Sequence, residues 1–192
     1  MNLANKLTVL RIVLTFVFML LLSVTGLGWR IASLMVFSIA ALTDLLDGRI
    51  AHKYNMVTDF GKLMDPIADK ILVLSAFAAF VQMQLVRDWM FMIIISRELI
   101  ITYFRLFALN KGKVMSAGKM GKGKTASQMV IIFVILGFIV FKEVMLAYFT
   151  WNPSWENMFH QGIDAFMWVI LALTIYSGCS YLWQNRNIIT NI

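Results

Sequence analysis

Six apolar stretches, each near the ~20 residues a helix needs to cross a bilayer, follow one another along the chain with short polar breaks between them. This pattern leaves few folds open, because a backbone in hydrocarbon must satisfy its own hydrogen bonds, as a helix does. The spacing predicts helices over 7–27, 30–53, 60–84, 89–109, 124–148 and 160–183. Composition points the same way: 60% of the 192 residues are hydrophobic and 14% are charged. Globular domains carry roughly 45–50% and about 25%. A soluble core of this size has no use for so much apolar surface. The chain therefore reads as one all-α, polytopic integral membrane domain over 1–192.

The breaks carry the charge. Gly26-Leu27-Gly28 separates the first two helices, Tyr54–Asp59 the next pair, and Gln84–Asp88 the pair after that. The most polar stretch, Asn110–Lys124, holds five Lys and four Gly, and Trp151-Asn152-Pro153-Ser154-Trp155 reads as the last loop, where Pro153 stops a helix. With six spans, thirteen Lys and Arg fall on the side of the termini and only Arg30, Arg87 and Lys142 on the other, while Arg97 sits mid-span. That asymmetry places both termini in the cytoplasm of a cell membrane. The net charge of +7 is then a topology signal facing anionic membrane lipids rather than a nucleic-acid surface. Lys6 and Arg11 before Ile12–Leu22 also suit a signal peptide, but Ser23-Val24-Thr25-Gly26 makes a poor cleavage site, which favours a retained helix. The lone Cys179 excludes a disulfide framework and reads as a packing residue.

The acidic residues are the expensive ones. Asp44 and Asp47 are three apart near the end of the second helix, and Asp65 and Asp69 four apart near the start of the third. Each spacing sets a pair on one helical face, and a short connection lets antiparallel helices bring the pairs together. One Asp at the centre of a spanning helix costs about 2.5–3.5 kcal/mol, and four together cost on the order of 10 kcal/mol unless compensated. Hard divalent cations are the natural compensation, and two of them, Mg²⁺ or Mn²⁺, can clamp a pyrophosphate. Gly48 lets a phosphate or nucleotide approach the helix backbone. Pro66 is expected early in its helix, where its missing donor is tolerated. The competing reading is a charge network with Arg49, Lys53, Lys62 and Lys70.

At this point the sequence resembles the CDP-alcohol phosphatidyltransferase family. Asp44, Asp47, Gly48, Ala51, Gly61, Asp65 and Asp69 fall in register with the family motif. His52 departs from it, standing where the family usually has Arg. The resemblance implies a cytoplasm-facing polar cavity, with Asp44, Asp47 and Asp65 as metal ligands. Asp69 becomes the proton acceptor and a further ligand. Gly48, His52, Thr58, Asn5 and Thr8 become contacts to the CDP-lipid. It also implies a homodimer.

Outside the motif, Asn5–Arg11, Ile95-Ser96-Arg97-Glu98-Leu99 and Gly121-Lys122-Gly123-Lys124-Thr125 are similar to bacterial phosphatidylglycerophosphate synthases. Those enzymes join CDP-diacylglycerol to glycerol 3-phosphate and release CMP. Tyr103-Phe104, where they tend to carry small residues, is a departure. An anionic acceptor also fits the residues themselves. A mid-membrane Arg97 needs a partner or a polar cavity, Arg105 follows eight residues on, and Lys122 and Lys124 stand at the edge. These cations suit a phosphate. The alternative is that Arg97 pairs with a carboxylate and the Lys residues only enforce topology. Other acceptors (inositol phosphate, serine, phosphatidylglycerol) keep the same chemistry. A small cation transporter is a more distant alternative, because all four Asp fall in one hairpin with no counterpart elsewhere in the chain.

Overall fold

The computed structural model describes the backbone of residues 3–54, 59–110 and 119–186, and the side-chain surroundings of 7–43, 67, 68, 70–108 and 123–186. Six helices follow in order: α1 Leu3–Ser23, α2 Leu27–Tyr54, α3 Asp59–Gln82, α4 Asp88–Asn110, α5 Lys119–Tyr148 and α6 Pro153–Gln184. No strand occurs among the described residues.

Two boundaries differ from expectation for local reasons. Pro153 opens α6 instead of closing a loop. At the first helical position its missing N–H has no intrahelical partner to lose, and Glu156 in the same turn complements the positive end of the helix dipole. The basic stretch also shortens, because α5 already runs from Lys119 through Gly121 and Gly123.

The chain divides into two compact units, Met1–Phe80 with Ile132–Pro153, and Val81–Ile131 with Ser154–Ile192. In the first, α1 packs on α2. Phe18, Phe37 and Phe133 form a chain of rings with centroids 5.2 and 5.3 Å apart, joining α1, α2 and α5. Gly26, at φ +120°, makes the turn between α1 and α2 in a conformation that side-chain-bearing residues rarely adopt. Arg30, counted from sequence among the cations on the side opposite the termini, is buried. Its guanidinium donates to the Leu22 carbonyl at the end of α1, one of the acceptors a helix end leaves without a partner. Arg30 Nε also lies 3.8 Å from the Glu143 carboxylate of α5.

In the second unit, α6 turns one face inward: Ile163, Met167, Ile170, Leu171, Thr174, Ser177, Gly178 and Tyr181 are buried at three- and four-residue steps. Cys179 falls off that face and is exposed, so it does not pack in the core. The turn before α4 holds Gln84 at φ 58° and brings Arg87 to Asp164, with nitrogen–oxygen distances of 3.2 and 2.5 Å. That carboxylate raises the Arg87 pKa above its ordinary value through the hydrogen bond and the charge.

The outward surface is apolar. Residues 123–148 and 153–184 are long and apolar enough to cross a membrane. Only 28% and 39% of their most apolar stretches are buried within the protein, too little for core helices of a soluble fold. Phe16 and Leu20 of α1, Met35 and Ile39 of α2, and Met92 and Leu99 of α4 are exposed as well. So much exposed apolar surface is the signature of a molecule that meets lipid or a partner.

Candidate functional site

The acidic motif lies on two consecutive helices of the first unit. Asp44, Asp47, Gly48 and His52 are on α2, and Asp65 and Asp69 on α3. Their side chains, and that of Asn5 on α1, lie outside the described residues, as does Thr58 altogether. Pro66 stands eighth in α3 rather than in its first turn, so the Lys62 carbonyl has no helical N–H to accept from. Four carboxylates are an all-oxygen donor set, the chemistry that suits Mg²⁺ or Mn²⁺. Among the described residues no group of three or more His, Cys, Asp or Glu that could hold a metal ion occurs.

On α1 in the same unit, Thr8, Arg11 and Thr15 form a polar stripe, all almost fully buried. Thr15 Oγ1 donates to the Arg11 carbonyl at 2.8 Å. Arg11, counted from sequence as a topology signal, is thus an interior cation. The signal was present in the spacing, since residues 8, 11 and 15 share one helical face.

The second unit holds a polar cluster on α4, α5 and α6. Glu98 is buried, and its Oε1 accepts from Arg97 Nη1 at 3.1 Å and from the Lys124 ammonium. Arg97 Nη2 donates to Ser177 Oγ at 3.2 Å, and the Arg105 guanidinium lies 5.8 Å from the centre of the Tyr181 ring. Arg105 follows Arg97 by eight residues on the same helix, α4. One carboxylate thus serves two cations, and a third, Arg105, lies against the Tyr181 ring, so positive charge is in excess among the described residues of the cluster. Lys122 is on α5, with its side chain outside the described residues.

Several polar atoms in this unit lack a partner among the described residues. Arg97 Nε, Arg105 Nε, Gln128 Nε2, Thr174 Oγ1 and Tyr181 Oη are buried and lack hydrogen-bond partners among the described residues. Native interiors leave few such atoms, and a group of them marks a place where a ligand or water belongs. Gln128, one turn after Lys124 and 2% exposed, was not singled out from sequence. Nor were Ser177 and Tyr181, which stand about 80 residues from their arginines and become neighbours only through the packing of α6. The two bulky residues before Arg105 do not crowd the cluster equally. Tyr103 is exposed and stacks on Phe107 at 5.9 Å, while Phe104 packs against Ile101, Ala108 and Tyr181.

A separate cavity of about 490 Å³ lies at the start of α4, lined by Val86, Arg87, Trp89, His160 and Asp164 among others. It shares no residue with the cluster.

Every regular element among the described residues is a helix, and two of the six are long and apolar enough to cross a membrane, which makes this an all-helical protein with apolar helices turned outward. More particularly, the chain belongs to the CDP-alcohol phosphatidyltransferase family, whose family model matches residues 1–176. It is similar to the CDP-diacylglycerol–glycerol-3-phosphate 3-phosphatidyltransferase of Bacillus subtilis (strain 168), at 34% identity over 96% of this chain and 95% of that one. The protein of the same name from Escherichia coli (strain K12) is 32% identical over 96% and 95%. That from Rickettsia typhi (strain ATCC VR-144 / Wilmington) is 31% identical over 94% of each.

Proposed function

We propose that this protein transfers the phosphatidyl group of CDP-diacylglycerol to glycerol 3-phosphate, forming phosphatidylglycerol phosphate and CMP. The observation that carries the reading is similarity along nearly the whole chain to relatives named for that reaction, from three separate bacteria. The surplus of positive charge around Arg97, Arg105 and Lys124 supports an acceptor that brings a phosphate dianion with it. The Nε atoms of Arg97 and Arg105, which have no partner among the described residues, supply directional donors for the oxygens. Lys122 completes the cationic set.

In the reaction, an acceptor hydroxyl attacks the phosphorus that bears the lipid. The bond from that phosphorus to the CMP oxygen breaks, and CMP leaves. Asp69 takes the hydroxyl proton. Asp44, Asp47 and Asp65, together with Asp69, would hold two Mg²⁺ or Mn²⁺ ions, whose chemistry is to neutralise charge on the pyrophosphate. Asn5, Thr8, Gly48, His52 and Thr58 bind the CDP-lipid. Glu98 pairs with Arg97 and Lys124 and holds them in place.

The same reading makes the six helices membrane spans of a bacterial cell membrane. Both termini and a polar cavity face the cytoplasm, the acyl chains of the donor stay among membrane lipids, and the working form is a homodimer. The test is purified protein given CDP-diacylglycerol, a divalent cation and a panel of acceptors. Glycerol 3-phosphate should release CMP, and inositol phosphate, serine and phosphatidylglycerol should not. Release of CMP with one of those three alone would replace the acceptor while keeping the reaction class.

A further inference from the structure

Gly178 is the point at which Arg97 crosses α6. A Cβ added there would meet Arg97 Cγ at 3.2 Å, Nε at 3.5 Å and Cδ at 4.0 Å. Three successive atoms of one side chain therefore run over the bare backbone of the helix. Gly162, on the same helix, has nothing within 4 Å of such an atom.

The residues on either side extend the contact. Ser177 Oγ accepts from Arg97 Nη2 at 3.2 Å and donates its own hydrogen to the Thr174 carbonyl at 3.1 Å. The hydroxyl is thus turned so that a lone pair meets the guanidinium. Tyr181, one turn on, offers its ring face to Arg105. Ser177, Gly178 and Tyr181 are all buried and lie on one face of α6.

What this contact leaves over is specific. The Nε of each arginine is buried and has no hydrogen-bond partner among the described residues. A long Arg side chain loses considerable rotamer entropy when a ligand must order it, and a site already holding it in place avoids that cost. The α6 face supplies such a hold for both arginines.

We propose that Ser177, Gly178 and Tyr181 form a seat that sets the pose of Arg97 and Arg105 toward the acceptor's phosphate, with Gly178 the size-limited positioning residue in it. This rests on the reading of Arg97 and Arg105 as acceptor-binding cations. A methyl group at 178 presses on the Arg97 stem and also crowds the Nε donor left for the ligand. Carbon contacts at 3.2 Å are shorter than the optimal 3.5–4.0 Å, so the guanidinium must shift by a few tenths of an ångström.

Steady-state kinetics on the full chain test this, with each substrate varied in turn. Gly178→Ala should raise KM for glycerol 3-phosphate by about threefold to tenfold, and Gly178→Val by more, since small displacements of binding groups carry penalties of this size. KM for CDP-diacylglycerol should stay at the wild-type value in Gly178→Ala. Gly162→Ala should change neither. Tyr181→Leu should raise KM for glycerol 3-phosphate more than Tyr181→Phe, which keeps the ring. The seat is overturned if Gly178→Ala leaves KM for glycerol 3-phosphate unchanged, or raises both KM values alike. Arg97→Ala and Arg105→Ala separate the two levels of the argument. If both leave KM for glycerol 3-phosphate unchanged, the acceptor reading itself fails. If they raise it and Gly178→Ala does not, only the seat fails.

Discussion

Glu98→Gln is the perturbation from which most can be calculated. The Glu98 carboxylate serves two cations at once, and the side chains of Arg97, Lys124 and Glu98 are 16%, 3% and 10% exposed. Solvent screening, which reduces most surface ion pairs to little, is weak at such burial. Gln keeps the shape and an acceptor oxygen but removes the charge. Hydrogen bonds to charged groups contribute about 1.5–3 kcal/mol and neutral ones about 0.5–1.5 kcal/mol. Converting two of the first kind to the second costs roughly 2–3 kcal/mol. For a chain of this length that is a fall of roughly 5–10 °C in apparent melting temperature. Glu98→Ala should cost more, about 3–5 kcal/mol, because it removes the carboxylate shared by two buried cations and leaves not even a neutral acceptor in its place. The assay is thermal unfolding of the detergent-solubilised protein at a fixed scan rate, with and without glycerol 3-phosphate. The ligand should recover part of the loss in Glu98→Gln, and stabilise it more than the wild type, because a bound dianion replaces the missing charge. An unchanged melting temperature in Glu98→Gln refutes the reasoning.

Three further outcomes are expected. Arg30→Met leaves the Leu22 carbonyl without its donor and Glu143 without its cation and should destabilise the protein by about 1–3 kcal/mol, read as a lower melting temperature that Arg30→Lys partly restores. Gln84→Gly should stabilise by about 0.5–1 kcal/mol, since φ 58° is cheap only for glycine; a fall in melting temperature would show that the Gln84 side chain matters more than its backbone. Asp69→Asn should abolish CMP release while the protein elutes and melts as the wild type does, and wild-type turnover in that variant would remove Asp69 from the proton transfer.

How far the sequence reaches depends on the distance between cause and effect. Helix existence was legible because an apolar stretch near membrane length is a local property. Pro153 was misplaced because the same residue can end one helix or begin the next, and only the course of the chain decides. Asp44, Asp47, Asp65 and Asp69 stood out in the sequence for a different reason, since charge is costly in an apolar chain; the structure adds only that they lie on α2 and α3, because their side chains are outside the described residues. Arg97 and Arg105 stood out by the same cost. Their neighbours did not. Ser177, Gly178 and Tyr181 look like ordinary residues of an apolar helix, and nothing in a single chain announces that α6 will pass across α4 at those positions. Arg11 and Arg30 show the converse error: near the ends of apolar segments they resemble topology signals, yet both are interior.

The measurement that bears most directly on the account is the fate of labelled glycerol 3-phosphate. Purified protein, CDP-diacylglycerol and a divalent cation should move the label into a chloroform-soluble lipid, one equivalent for each CMP released. CMP appearing without label in the lipid, or no CMP with any acceptor tried, would contradict it.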